Sequence, residues 1–264
     1  MKYRNQIIAL FLIGTLSSAG CKQAPKTTSL KEGNTERDNP QMDIQIIPIE
    51  HASAVLIWNG TTIYIDPVGN KGAFKDVPDP DLILITDIHG DHFSLETLKE
   101  LDIEKSKIVL PQAVAYKMPE DLIPQLDIMD NRNHRELLGF DIEAVPMYNL
   151  REEAKDFHPK GRGNGYVISK NGVRIYFSGD TEDIPEMRTL DNIDKAFICM
   201  NLPYTMTIES AADAVLDFKP KQVYPYHYRG NPDIGDVALF KKLVRERNPD
   251  IEVVQLDWYP NEKY

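Results

Sequence analysis

Cysteine is almost missing from this 264-residue sequence: only Cys21 and Cys199 occur. A disulfide framework is therefore excluded, and an apolar core must hold the fold. An apolar content of 42% is enough for one. Positive charge is also scarce. With 30 basic against 41 acidic residues, the formal net charge is −11. That balance argues against a nucleic-acid partner, because phosphate binding needs a basic patch. The apolar run Ile7–Leu16 is too short to span a bilayer. A serine nucleophile motif of the GxSxG type is absent as well.

What the N-terminus does contain is a processing signal. Lys2 and Arg4 precede the run Ile7–Leu16, and the small residues of "SSAG" lead into Cys21. The stretch resembles the lipobox of bacterial lipoproteins, with Ser18 where leucine is usual. It implies a signal peptide over 1–20, cleavage before Cys21, a lipid on that thiol and a location in the cell envelope. Residues 21–42 are polar and aperiodic, which predicts a flexible tether. Contact with the membrane is thus expected through a lipid anchor alone. Cys199, in "KAFICM", reads as a small buried apolar residue.

A folded domain is expected over 43–264. "DIQIIPI" and "AVLIWNGTTIYIDP" read as three short strands, the last two joined by a turn at Asn59-Gly60. "DLILIT" is continuously apolar, which predicts a strand buried on both faces. "SLETLKEL" opens a helix capped by Ser94. "KIVLP", "FDIEAVP", "GYVIS" and "VRIYFSGD" read as further strands, the last two turning at Asn171-Gly172. From "KAFICM" onward, strands alternate with amphipathic helices at 207–218 and "VALFKKLVRER". An α/β (α+β) fold of two packed mixed sheets flanked by helices fits this order.

Only six histidines occur, and two of them stand in "TDIHGDH", directly after the buried strand. In an extended segment alternate residues point the same way, so Asp87 and His89 can converge on one ion. Gly90 allows a tight turn, after which Asp91 and His92 face a second position. Imidazole and carboxylate together suit zinc, manganese or iron. One or two divalent ions are therefore the expected cofactor.

"DIHGDH" resembles the HxHxDH signature of the metallo-β-lactamase superfamily, with Asp87 in place of the first histidine. "HASAVLIWNGTTIYIDP" resembles the opening of its ascorbate-phosphate-lactonase-like branch. "VPMYN", "IYFSGDT" and "YPYHYRG" resemble the later motifs in the right order. The resemblance implies an αββα sandwich with a two-metal site at one edge of its sheets. It implies one ion held by Asp91, His92, Asp180 and His227, and another by Asp87, His89, Asn149 and the shared Asp180. Two imidazoles of the second set are replaced by oxygen donors, which favours harder ions there. A decayed half-site is the alternative. His51 and Asp66 are expected to orient ligands.

The loop "DFHPKGRGNGY" adds His158, which could ligate metal, bind substrate or act as an acid. Lys160 and Arg162 offer charge to an anionic substrate, and Asn164 and Tyr204 could line the pocket. His134 reads as a surface residue. The resemblance implies hydrolysis of an ester, lactone or phosphodiester by metal-activated water, oriented or deprotonated by Asp91. The expected substrate is a small or lipid-derived anion. The altered residues Asp87 and Asn149 keep open a non-catalytic lipoprotein that binds metal or ligand.

Overall fold

The computed structural model describes residues 43–260. The expected signal peptide, the tether and Cys21 lie outside the described residues, as do the last four positions of the expected domain. The chain begins as a meander. Strands β1 (Ile44–Glu50), β2 (Ser53–Trp58) and β3 (Thr61–Ile65) pair antiparallel. The turn between β2 and β3 has φ of +49° at Asn59 and +81° at Gly60. Two successive positive values are what a two-residue hairpin turn demands and what an Asn-Gly pair supplies.

Strands β4 (Leu82–Leu84), β5 (Lys107–Leu110) and β6 (Leu126–Ile128) then extend the sheet in parallel. Parallel neighbours need crossovers. The one between β4 and β5 carries helix α1 (Leu95–Glu100), whose first turn is capped by the Ser94 hydroxyl accepting from the Thr97 amide. Short helix α2 (Gln112–Ala115) lies in the next connection. Leu82 and Leu84 join the apolar layer shared with the second sheet, while Ile83 and Ile85 pack beside Leu98 of α1. The period of two along a doubly buried strand thus feeds two separate cores.

The second sheet repeats the plan. Strands β7 (His134–Leu137), β8 (Phe140–Met147), β9 (Gly163–Lys170) and β10 (Val173–Phe177) are antiparallel. Parallel strands β11 (Lys195–Ile198), β12 (Gln222–Pro225) and β13 (Glu252–Val253) follow. Helices α3 (Pro185–Arg188), α4 (Ile208–Phe218) and α5 (Val237–Arg247) fill the crossovers. Leu56, Ile63 and Leu84 of the first sheet share one apolar cluster with Ile142, Ile168 and Phe177 of the second. The result is the expected sandwich of two mixed sheets flanked by helices. Among the described residues, no helix is long and apolar enough to cross a membrane.

Four short elements escape the sequence patterns: α2, β6, β7 and α3. "HREL" of β7 is largely exposed and carries no alternation. His134 lies on this strand with its side chain exposed, as expected. Cys199 follows β11 fully buried. Its thiol is pushed up to about 12, mainly by burial.

Candidate metal centre

The polar residues of interest follow the carboxyl ends of parallel strands. Asp66 follows β3, and Asp87, His89, Asp91 and His92 follow β4. Asp180 follows β10, Asn201 follows β11 and His227 follows β12. Open sheets bind ligands at this end, because the strands stop together and their loops diverge there. Two of these residues hold unusual backbone, with φ of +44° at Asp66 and +47° at His227, as does His51 just after β1, with φ of +57°. Left-handed backbone is uncommon outside glycine, and its clustering here marks local strain that the surrounding packing sustains.

Asp180 is the centre of the arrangement. Its Oδ2 lies 3.1 Å from His158 Nε2 and 3.4 Å from His92 Nε2, and its Oδ1 lies 3.2 Å from His227 Nε2. His92 Nε2 and His227 Nε2 are themselves 3.1 Å apart. Asp91 closes the group, its Oδ2 3.4 Å from His227 Nε2 and 3.3 Å from His51 Nε2. Asp91, His92, Asp180 and His227 each offer a donor atom, all within 4.8 Å of one another. Asp87, His89 and His158 form a second such group. Asp180 Oδ1 and His158 Nε2 are buried with no hydrogen-bond partner. Buried polar atoms are almost always paired, so orphaned ones aimed at a shared point fit a bound cation.

Hydrogen bonds behind the rings aim them. His92 Nδ1 lies 2.8 Å from Asp66 Oδ2. Asp66 also accepts from the Thr86 amide at 2.7 Å and the Thr86 hydroxyl at 2.6 Å. Its carboxylate is wholly buried, and burial raises it despite those partners. A carboxylate behind an imidazole fixes the ring and leaves Nε2 for an ion. The Asn201 amide lies 3.3 Å from His227 Nδ1, and the Tyr259 hydroxyl lies 2.8 Å from His51 Nδ1.

Charge follows the same plan. Burial alone would depress the His92 imidazole, but Asp180 and Asp66 on either side raise it well above its usual value. Burial would likewise raise Asp180, yet the imidazoles of His227, His92 and His158 hold it well below the carboxylate range. Asp91 is also held low: hydrogen bonds from His227 and His51 outweigh its burial. For His51 burial wins and lowers the pKa.

The loop after β8 brings in Asn149 and His158. Asn149 is buried, and its Nδ2 donates to the carbonyls of Ala154 at 2.8 Å and Tyr204 at 2.7 Å. Its Oδ1 has no hydrogen-bond partner. His158 is buried too, its Nδ1 3.2 Å from both Asn149 Nδ2 and the Tyr204 carbonyl. Asn149 therefore clamps the loop that delivers His158, whose Nε2 reaches Asp180.

Lys160 turns away from the site. It pairs with Glu186 at 3.0 Å and lies over the Tyr148 ring. Arg162 turns inward and binds Asp87, Nε to Oδ1 at 3.2 Å and Nη2 to Oδ2 at 3.0 Å. Neither cation offers unpaired charge to an anion, contrary to the sequence expectation. Asn164 is also displaced from its expected place: it is fully buried, donates through its side chain to the Met129 carbonyl at 2.7 Å and is not part of the pocket beside the donors. Its backbone N–H donates to the Thr86 carbonyl at 2.9 Å, joining β9 to the chain just before Asp87.

Above the donors lies a pocket of about 230 Å³, floored by His89, Asp91, His158 and Asp180 and walled by Phe157, Asn201 and Tyr204. Tyr204 was expected here. Asn201 and Tyr259 were not: Asn201 carries only the weak signal of a polar residue just past a buried strand, and Tyr259 carries none. A larger groove of about 420 Å³ runs beside the start of α4. Neither donor group lies in it.

The chain is similar to known proteins. Residues 45–227 match the Beta-lactamase superfamily domain. A UPF0173 metal-dependent hydrolase of Thermococcus onnurineus is 35% identical over 206 residues, covering 74% of this chain and 90% of that protein. A crystal structure from Parabacteroides distasonis, assigned as a metal-dependent hydrolase, superposes with a TM-score of 0.73 at 32% identity, covering 83% of this chain and 94% of that one. The metallo-beta-lactamase fold protein YhfI of Bacillus subtilis shares the fold at 9% identity and a TM-score of 0.63, over 81% of this chain and 95% of its own. Two His/Asp donor groups at the strand ends, on this fold and with these relatives, place the chain in the metallo-β-lactamase superfamily, as a member of the UPF0173 metal-dependent hydrolases.

Proposed function

We propose that the chain hydrolyses a small ester, lactone or phosphodiester, with Asp91, His92, Asp180 and His227 holding a divalent ion. The convergence of His92 Nε2, His227 Nε2 and both Asp180 oxygens carries this reading. Mixed imidazole and carboxylate donors suit zinc, manganese or iron. When bound, such an ion supplies Lewis acidity and lowers the pKa of water from about 15.7 to about 7. Asp91 is ionised and half-exposed on the pocket floor, where its Oδ2 can orient an attacking water and accept its proton. His51, backed by Tyr259, fixes that carboxylate. Phe157 and Tyr204, their rings edge to face at 5.2 Å, offer an apolar wall to the remainder of the substrate.

The pocket volume favours a small substrate or the hydrolysable end of a larger one. Because Lys160 and Arg162 are paired elsewhere, the negative charge of an anionic substrate falls to the ion. The lipobox-like stretch supports an envelope location through a lipid on Cys21. Fractionation of cells carrying Cys21→Ser should release the protein from the membrane; equal retention would refute the anchor.

The activity test is a panel of activated phosphodiesters, lactones and carboxylic esters, with and without a chelator. Metal-dependent turnover of one class is expected, falling by about 10²–10⁴-fold in Asp91→Asn. Turnover that survives chelation, or an Asp91→Asn enzyme as fast as wild type, would overturn the reading.

A further inference from the structure

We infer that Arg162 is the resident cation of the Asp87 half-site, so that the chain holds one firmly bound divalent ion where the fold offers room for two. The inference rests on the proposed ion in the Asp91, His92, Asp180 and His227 group and concerns what stands beside it.

Asp87 is completely buried, and a buried carboxylate needs a partner. The Arg162 guanidinium supplies it as a fork, taking Oδ1 through Nε and Oδ2 through Nη2. His89 completes a closed triangle. Its Nδ1 lies 2.8 Å from Asp87 Oδ2, and its Nε2 lies 3.3 Å from Arg162 Nη2. With Nδ1–H donating to the carboxylate and Nε2 accepting from the guanidinium, both ring nitrogens are engaged. The other group has no such closure: imidazole nitrogens face one another across a carboxylate, with Asp180 Oδ1 unpaired. One group is finished by a cation of the chain itself, and the other is built to receive one. His158 belongs with the latter, since its Nε2 reaches Asp180 and has no hydrogen-bond partner.

The guanidinium is placed by fixed backbone. Gly163, the next residue, lies so close to the strand end that a Cβ there would sit 2.9 Å from the Thr86 carbonyl and 3.2 Å from Asp87 Oδ1. The Asn164 amide bonds the Thr86 carbonyl, and Asn131 Nδ2 donates to the Gly163 carbonyl at 2.8 Å. Arg162 Nη2 also donates to the Phe157 carbonyl. A divalent ion between Asp87 and His89 would have to displace a positive charge held on three sides. The oxygen donor at position 87 has its reason here: a carboxylate neutralises the guanidinium and meets it with two oxygens, whereas a neutral imidazole offers one lone pair and no charge.

The test is calorimetric titration of metal-free protein with manganese and with zinc, paired with electron paramagnetic resonance of the manganese-loaded form. Wild type should take up one ion and show the spectrum of isolated manganese. Arg162→Met, shown folded by circular dichroism, should take up two and show a spin-coupled pair. Arg162→Lys keeps the charge and should remain at one. Two firmly bound ions in wild type would overturn the inference and leave the proposed function standing. No bound ion in wild type would overturn both. A folded Arg162→Met that still binds one ion would show that Arg162 is not what closes the half-site.

Discussion

The two halves of the centre differ in what stands behind their donors. In the half built from Asp91, His92, Asp180 and His227, the supporting groups are a buried carboxylate, a hydroxyl and an amide. Asp66 and Thr86 meet His92, and Asn201 meets His227, each at the ring nitrogen that points away from the middle. In the half built from Asp87 and His89, the partner is Arg162, and it sits among the donors themselves. The first arrangement concentrates negative charge and lone pairs at one point, while the second cancels them. Donor types at metal-ligand spacing therefore do not settle how many ions a site holds; the cations within reach of the donors decide it.

The largest effect that sharpens this contrast should come from Asp180→Asn. Asp180 touches three imidazoles, so the change removes the only charge opposing all of them at once. Retained metal should fall by more than the about 10–100-fold expected when a merely supporting residue is lost. Equilibrium dialysis with mass-spectrometric metal analysis measures it. Asp66→Asn should come next, with a loss of about 10–100-fold in metal affinity, because His92 loses the acceptor that fixes its ring. A zinc titration in which Asp66→Asn matches wild type would break the claim that the groups behind the rings matter.

Gly163→Ala probes the other half. Its Cβ would also meet Met147 Cε at 2.3 Å, and crowding of this kind costs about 1–3 kcal/mol. Denaturant unfolding should register that loss. Ser94→Ala lies outside both halves and removes only a helix cap, at about 1 kcal/mol. It should lower thermal stability while metal uptake stays at the wild-type level.

Much of this was legible before folding. The hairpin turns announced themselves as Asn-Gly, and β4 as a continuous apolar run with its donors immediately after it. Asp180 and His227 came from motifs that resemble a known family, since spacing alone cannot join positions so far apart. What stayed hidden has a common cause. Asp87 and Arg162 are 75 positions apart, and an arginine in a glycine-rich loop reads as an attractor for anions until its partner is known. Lys160 and Glu186 repeat the case. Asn164 reads as a pocket residue from its place in the His158 loop segment, yet it lies on β9 with its side chain fully buried. Strand β7 is short, polar and exposed, so it carries no periodic signal.

His227 and its three neighbours are the proposed firm metal position. The most direct test is the metal content of purified wild type and His227→Ala after exhaustive dialysis against excess manganese or zinc and then against metal-free buffer. Wild type should retain one ion per chain, and His227→Ala, still folded by circular dichroism, should retain almost none. Equal retention by the two proteins would contradict the claim.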